Sequence, residues 1–139
     1  MNLIKSAVTG FIIFTSLNVY AADYNELNGV RVRAPGQAET YLIDQGQRRW
    51  IPNPETFNNL FSGEVTVSID SINIPRGPDM TNGAILAQCN ATVFLIDNNV
   101  KRGITSPAVM EKYGFNWGQV QSTHCILLDF IQNGPTITE

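Results

Sequence analysis

The sequence contains an internal tandem repeat. The stretch Tyr41–Asp44 (YLID) recurs as Phe94–Asp97 (FLID), an offset of 53 residues that continues downstream. The matching segments extend over residues 28–78 and 82–135. Units of this length are typical of paired or stacked supersecondary structures that share one core. We therefore expect two related units, neither of which buries its apolar face alone.

Each unit contains a predicted β-hairpin. The stretches Thr40–Ile43 and Thr92–Ile96 are β-branched, aromatic and aliphatic, a composition that strands favour. A short polar gap follows each of them, and the chain then continues as Arg48–Ile51 or Lys101–Ile104. The spacing predicts two antiparallel strands in each unit, joined by a tight turn.

The turns are predicted at equivalent residues of the two units. Gly46 and Asn99 occupy the same place, and Gly and Asn are the residues that best tolerate a left-handed backbone. We therefore expect a positive φ at both. Asp44 and Asp97 open the turns and are expected to accept hydrogen bonds from their own turn amides. The alternative is a carboxylate dyad, brought together by the symmetry of the repeat.

A helix start follows each hairpin, where an Asn or Ser precedes a proline. The side-chain oxygen of the Asn or Ser can accept a hydrogen bond from a backbone amide in the first helical turn, which has no partner within the helix. Proline suits the first helical position because it has no amide hydrogen there to leave unpaired. The predicted helices are Pro54–Phe61 and Pro107–Tyr113, and the strands predicted after them are Val65–Ile69 and Thr123–Phe130. We expect a mainly β, small α+β domain, in which two units of strand, hairpin, short helix and strand pack about a pseudo-twofold axis. Barrel, sandwich and blade-like arrangements all fit this pattern.

Residues 1–21 have the pattern of a secretory signal peptide. Lys5 precedes the apolar run Ala7–Leu17, and Val19 and Ala21 are small at the two positions that a signal peptidase reads. Residues 22–139 are then expected to form one exported domain, periplasmic or extracellular, without a membrane span. Cleavage would remove one of the 9 Lys and Arg residues and leave 8 against 12 Asp and Glu, a net charge of −4. Such acidity argues against nucleic acid and anionic membranes as partners.

The chain has two cysteines, Cys89 and Cys125, both in the second unit. In an exported chain an even number of cysteines predicts a disulfide, with two free or exchange-active thiols as the alternative. Closing a loop of roughly 37 residues would stabilise the fold by about 4 kcal/mol in the chain-entropy model.

The repeat resembles one found in tandem in exported bacterial proteins, often beside hydrolase or adhesion domains. The resemblance rests on Tyr41–Pro52 with Pro54 and Phe57, and on the echo that ends in Ile104–Met110. It implies export and a role as an accessory or binding unit. Gly103 stands where the motif has an aromatic residue and Thr105 where it has a proline. Together with the cysteine pair, these departures indicate that the second copy has diverged.

Residue types that carry catalysis are scarce. The only histidine, His124, is adjacent to Cys125. Neighbours on the predicted strand would point to opposite faces, so the two side chains would not form a nucleophile pair. A single histidine also provides a poor basis for a zinc site or a catalytic triad. We therefore predict a protein without enzymatic activity, metal or cofactor, with His124 on the surface.

Basic pairs recur on the second hairpin strand of each unit. Arg49 and Arg102 are predicted to be structural and to pair with Asp44 and Asp97 across their own hairpins, with an anion or sugar-acid site as the alternative. Trp50 is a candidate stacking platform, because Gly103 leaves the equivalent place empty; a half-buried structural Trp is the alternative. The candidate binding residues are Trp50, Arg48, Arg49, Trp117, Lys101 and Arg102.

The sequence thus favours a secreted, non-enzymatic binding module for a glycan or the cell envelope. The alternative is a protein-binding inhibitor or immunity-type protein, for which a small, acidic, disulfide-containing domain is typical.

Overall fold

A computed structural model describes residues 23–139, so the predicted signal peptide and its cleavage site lie outside the described residues. The chain forms two sheets, each with parallel and antiparallel pairs. The first has the strand order β3-β2-β1-β4, and the second has the order β8-β5-β6-β7-β9. Short helices complete a mainly β, small α+β fold, which confirms the predicted class.

The strands of the first sheet are β1 (Arg31–Arg33), β2 (Thr40–Asp44), β3 (Gln47–Ile51) and β4 (Thr66–Val67). Those of the second are β5 (Ile85–Cys89), β6 (Thr92–Asp97), β7 (Val100–Ile104), β8 (Gln121–Ser122) and β9 (Gln132–Asn133). The α-helices are α1 (Pro54–Leu60), α2 (Pro107–Lys112) and α3 (Cys125–Asp129), and 3-10 turns cover Tyr24–Leu27, Ile69–Asn73 and Trp117–Gln119. No helix among residues 23–139 has the length and apolar character needed to cross a membrane.

Both predicted hairpins are present. Strands β2 and β3 pair with Asp44 opposite Gln47, and β6 and β7 pair with Asp97 opposite Val100. Each turn therefore has two central residues, both with positive φ. These angles are 54° and 71° at Gln45 and Gly46, and 52° and 63° at Asn98 and Asn99. Two-residue turns of this kind match the right-handed twist of the strands. The predicted positive φ at Gly46 and Asn99 is confirmed.

Both predicted helix starts are also confirmed. Asn53 Oδ1 accepts a hydrogen bond from the Thr56 amide at 2.8 Å, and Ser106 Oγ accepts one from the Val109 amide at 3.2 Å. Each helix ends one residue before the predicted position.

The strands predicted after the helices are mostly wrong. Of Val65–Ile69 only β4 forms, and Thr123–Phe130 contains α3 rather than a strand. The topology gives the reason. Strand β8 lies at one edge of the second sheet, beside β5, while β9 lies at the other edge, beside β7. The connecting segment must cross the sheet, and a helix is the usual connection between parallel strands.

The main core cluster draws on both halves of the chain. The rings of Phe61 and Phe115 stack with centroids 5.5 Å apart, and the Ser62 amide donates to the Gly114 carbonyl at 2.8 Å. A smaller cluster of Val32, Ile43 and Ile74 covers the other face of the first sheet. Buried members of the main cluster include Leu42, Ile51, Leu60 and Phe61 from the first half and Leu86, Leu95, Ile104 and Met110 from the second.

The predicted disulfide is present and joins Cys89, at the end of β5, to Cys125, at the start of α3. Their Cα atoms are 5.1 Å apart. The bond therefore fixes the crossing helix to the sheet.

Candidate functional site

The candidate site lies beside Trp50, near the end of β3. Successive residues of a strand point to opposite faces, so Arg48 and Trp50 share one face while Arg49 and Ile51 share the other. Trp50 lies directly opposite Tyr41 on β2. Its side chain is half-buried, and this position at the border of the sheet leaves part of the indole available to a ligand.

A groove of about 560 Å³ opens next to Trp50. Its lining is mostly apolar and includes Pro52, Phe57 and Val65. Phe57 packs on the core cluster, and its ring centroid is 5.3 Å from that of Phe61. The charged and amide-bearing side chains among the lining residues are Arg33, Glu39, Asn53 and Asn58. An apolar concavity with a few polar groups is the usual form of a small-ligand site.

Arg48 lies outside this groove, in a neighbouring pocket of about 260 Å³ that also contains Glu39. Its guanidinium is 4.8 Å from the Tyr41 ring centroid, and its Nε donates to the Ile74 carbonyl at 2.9 Å. These contacts tie β3 to the segment that follows the 3-10 turn Ile69–Asn73. Arg48 therefore holds β3, the strand that carries Trp50, against Tyr41 and Ile74.

Lys101 has a similar set of contacts in the second half. Its Nζ donates to the Leu128 carbonyl at 2.8 Å and lies 5.7 Å from the Phe94 ring centroid. Lys101 therefore ties β7 to α3.

Arg49 and Arg102 are buried in a four-residue ionic cluster with Asp44 and Asp97. Arg49 donates to Asp44 of its own hairpin at 3.1 Å and to Asp97 of the other unit. Arg102 donates to both carboxylate oxygens of Asp44, at 2.5 and 3.2 Å. The structural role predicted for the two arginines agrees with this burial. The predicted pairing within each hairpin is only partly right, because the cluster joins the two halves.

The prediction that Asp44 and Asp97 accept bonds from their own turn amides is wrong. The Gly46 amide donates to Asn28 Oδ1 at 2.9 Å, and the Asn98 amide donates to Thr81 Oγ1 at 2.8 Å. Side chains from the preceding loops thus accept the hydrogen bonds of these turn amides. The carboxylates are free to turn inward, where burial requires a charged partner.

The place equivalent to Trp50 is different in the second half. A methyl group at Gly103 would meet Phe94, Thr92 and Thr136 at 3.7 to 3.9 Å. These side chains border the space that corresponds to the indole. The two halves therefore present different surfaces to a ligand.

Trp117 lies elsewhere, on the 3-10 turn Trp117–Gln119, and does not line the groove. Its side chain is 54% exposed. The structure does not bring the two tryptophans together in one site.

His124 is exposed and precedes α3, so the predicted strand position was wrong, while its predicted surface position is confirmed. Its neighbour Cys125 is in the disulfide and provides no free thiol. Within residues 23–139, no three His, Cys, Asp or Glu side chains lie together as a metal site.

Sequence reasoning missed Arg31, a buried arginine at the junction of the halves. Its Nη1 donates to the carbonyls of Gly29 and Tyr113 at 3.0 and 2.7 Å, and its Nη2 donates to that of Ser62 at 2.9 Å. Burial lowers the pKa of this guanidinium. A side chain at Gly114 would collide with the guanidinium of Arg31. The glycine after α2 therefore leaves room for Arg31, a contact that no local sequence pattern indicates.

Comparison with known proteins gives no match to any protein-family model, curated protein or solved structure. The geometry of the chain itself therefore carries the functional argument.

Proposed function

We propose that the protein is an exported, non-enzymatic binding module that takes a glycan or cell-envelope polymer in the Trp50 groove. The observation that carries the proposal is the groove itself, where a half-buried indole adjoins an apolar floor and a few polar side chains. Sugars present both C–H faces and hydroxyl groups. An aromatic platform with charged and amide side chains at its border matches both.

We also infer that the two repeats are pseudo-symmetric units of one domain. Equivalent contacts support this inference. Arg49 Nε donates to the Pro78 carbonyl at 3.0 Å, and Arg102 Nε donates to the Pro135 carbonyl at 2.8 Å. Within such a frame, Gly103 stands at the second-unit place that corresponds to Trp50, so only the first unit has an indole there. We therefore expect one glycan site rather than two.

A fluorescence titration tests the proposal. Trp117→Phe leaves Trp50 as the only tryptophan, so emission reports on the groove alone. The probes are soluble peptidoglycan fragments and N-acetylated chito-oligosaccharides. We expect a saturable change in emission that Arg33→Ala and Asn58→Ala weaken. Unchanged emission with both probes at millimolar concentration would contradict glycan binding.

The alternative raised by the sequence, a protein-binding inhibitor, would use a different surface. Large apolar side chains are exposed on α3 and on the residue after it.

A further inference from the structure

The Trp50 groove adjoins a second pocket of about 260 Å³, which we call the Arg48 pocket. Glu39 lines both, and Trp50 on β3 lies directly opposite Tyr41 on β2, which lines the Arg48 pocket. Arg48 is two residues before Trp50 on the same strand, so the two side chains share one face and lie roughly 7 Å apart along it. An oligosaccharide that stacks on the indole is long enough to reach Arg48.

The guanidinium of Arg48 is held in place and keeps donors for a ligand. Its central carbon lies 4.8 Å from the centroid of the Tyr41 ring, and its Nε donates to the Ile74 carbonyl at 2.9 Å. No carboxylate among residues 23–139 forms an ion pair with it. The end that bears Nη1 and Nη2 is therefore left for a ligand. Two parallel N–H donors on a planar group match the two oxygens of a carboxylate.

The charged side chains that line the two pockets favour an anion. Arg33 lines the Trp50 groove and, like Arg48, forms no ion pair within residues 23–139. Arg76, the bridge partner of Arg48, is already neutralised by Asp79 at 2.8 Å. Within the described part of the chain, Glu39 is the one carboxylate that lines either pocket. Two arginines thus stand against one glutamate, in a chain whose overall charge is negative.

Two further carboxylates lie near the groove along the chain. Glu55 and Glu64 are exposed and adjacent to lining residues, but they line neither pocket. Salt screens exposed charges that do not touch a ligand, so the groups that border the ligand decide its sign. Glu39 opposes an anion at the place where the pockets meet, and the two guanidinium groups outnumber it.

We propose that the ligand of the groove is an acidic glycan, whose sugar face stacks on Trp50 and whose carboxylate pairs with Nη1 and Nη2 of Arg48. The proposal rests on glycan binding in the Trp50 groove and names the chemical class of that glycan. Two kinds of polymer carry such a carboxylate, namely amino sugars with a lactyl ether, as in peptidoglycan, and chains of uronic acids. A neutral chain offers only hydroxyl and amide oxygens, whose hydrogen bonds to a guanidinium are weaker.

Two disaccharides that differ in one acidic group test the proposal. N-acetylglucosaminyl-N-acetylmuramic acid is diacetylchitobiose with a lactyl ether on one hydroxyl group, so the comparison isolates the effect of that group. Emission of Trp50 in the Trp117→Phe protein reports both titrations. We expect Kd to be about tenfold lower for the acidic disaccharide, the effect of one charge-assisted contact, and the difference to vanish when its carboxylate is converted to an amide. Oligogalacturonate distinguishes the two sources, since tighter binding of the uronic acid would assign that polymer.

Variants of the protein locate the contact. Arg48→Gln should remove the preference for the acidic disaccharide and leave Kd for diacetylchitobiose within about twofold, and Arg48→Lys should restore part of it. Glu39→Gln should strengthen binding of the acidic disaccharide about twofold, because it removes a like charge. Lys112→Gln removes a positive charge from the exposed end of α2 and is the matched control, with neither Kd changed more than about twofold. Should Arg48→Gln fail to fold, Arg33→Gln, which loses no ion pair, should lower the preference about threefold.

The possible failures are distinguishable. Equal affinity for the two disaccharides, or an equal loss for both in Arg48→Gln, would overturn the acidic glycan and leave glycan binding intact. Tighter binding of the de-N-acetylated, cationic disaccharide would also overturn it. Unchanged emission with either disaccharide at millimolar concentration would refute glycan binding itself, and the acidic-glycan proposal would fall with it.

Discussion

Replacing Asp44 by alanine tests the ionic cluster that joins the two halves. Asp44 accepts from Arg49 at 3.1 Å and from two nitrogens of Arg102, and side-chain exposure of all three residues is 7% or less. Without the carboxylate, the Pro135 carbonyl is the one partner among residues 23–139 to which the Arg102 guanidinium still donates. Breaking a buried pair on one side costs about 3–5 kcal/mol, since a charge is left buried without compensation. We expect Asp44→Ala to lower the free energy of unfolding by this amount, as measured by urea denaturation at pH 7.

The matched control is Asp79→Ala, which breaks the ion pair with Arg76. That pair has a similar length, 2.8 Å, but its two side chains are about half exposed, so less than about 1 kcal/mol should be lost. Asp44→Asn keeps the shape of the side chain and gives a milder variant should Asp44→Ala fail to fold. Adding Arg102→Met to Asp44→Asn should recover part of the loss. Equal costs for Asp44→Ala and Asp79→Ala would refute the reasoning.

Three further predictions concern stability. Because Gly46 has a φ of 71°, Gly46→Ala should cost about 1 kcal/mol or more and Gly46→Asn less; equal melting temperatures would contradict this. Burial raises the pKa of Tyr113 from 10.0 to about 12, so the folded state holds the phenol proton more tightly than the unfolded state does. The free energy of unfolding should therefore fall by about 2 kcal/mol as the pH rises from 10 toward 12. Tyr113→Phe should lack this loss, and the same pH dependence for both proteins in urea denaturation would contradict the prediction. Reducing the Cys89–Cys125 bond should cost about 4 kcal/mol, and two reactive thiols on the unreduced protein would disprove the bond.

Local chemistry made the hairpins and helix starts predictable. A left-handed turn needs Gly or Asn, and a helix N-terminus needs a side-chain acceptor, so Gly46 and Asn53 identify their elements within a few residues. The disulfide was predictable because the chain has only two cysteines.

Tertiary placement explains what the sequence did not reveal. The segment Thr123–Phe130, with its apolar stretch Ile126–Leu128, fits a buried strand or a helix equally well, and the helix agrees with a connection that crosses the sheet. The carboxylates were expected to bond their own turns, yet Asn28 and Thr81 occupy those amides and the carboxylates meet arginines of both halves. Arg31 contacts the Tyr113 carbonyl 82 residues away, which no local pattern encodes.

The candidate site was predictable only as a list of residues. The unequal pair Trp50 and Gly103 identified the side chain that adjoins the groove. Arg49 and Arg102 were candidates because basic pairs recur in both units, but the carboxylates of Asp44 and Asp97 already pair with their charges in the cluster. Whether a basic residue faces solvent or the junction depends on the packing of the two units.

The most direct test of the account is Trp50→Ala, with stability and binding measured on the same preparation. The indole is partly buried and also adjoins the groove, so it contributes to the core as well as to an interface. We expect the free energy of unfolding to fall by about 2 kcal/mol, whereas affinity for peptidoglycan fragments in calorimetry falls at least about tenfold. A loss of about 3–5 kcal/mol in stability, the cost of truncating a buried Trp, with unchanged affinity would contradict the account.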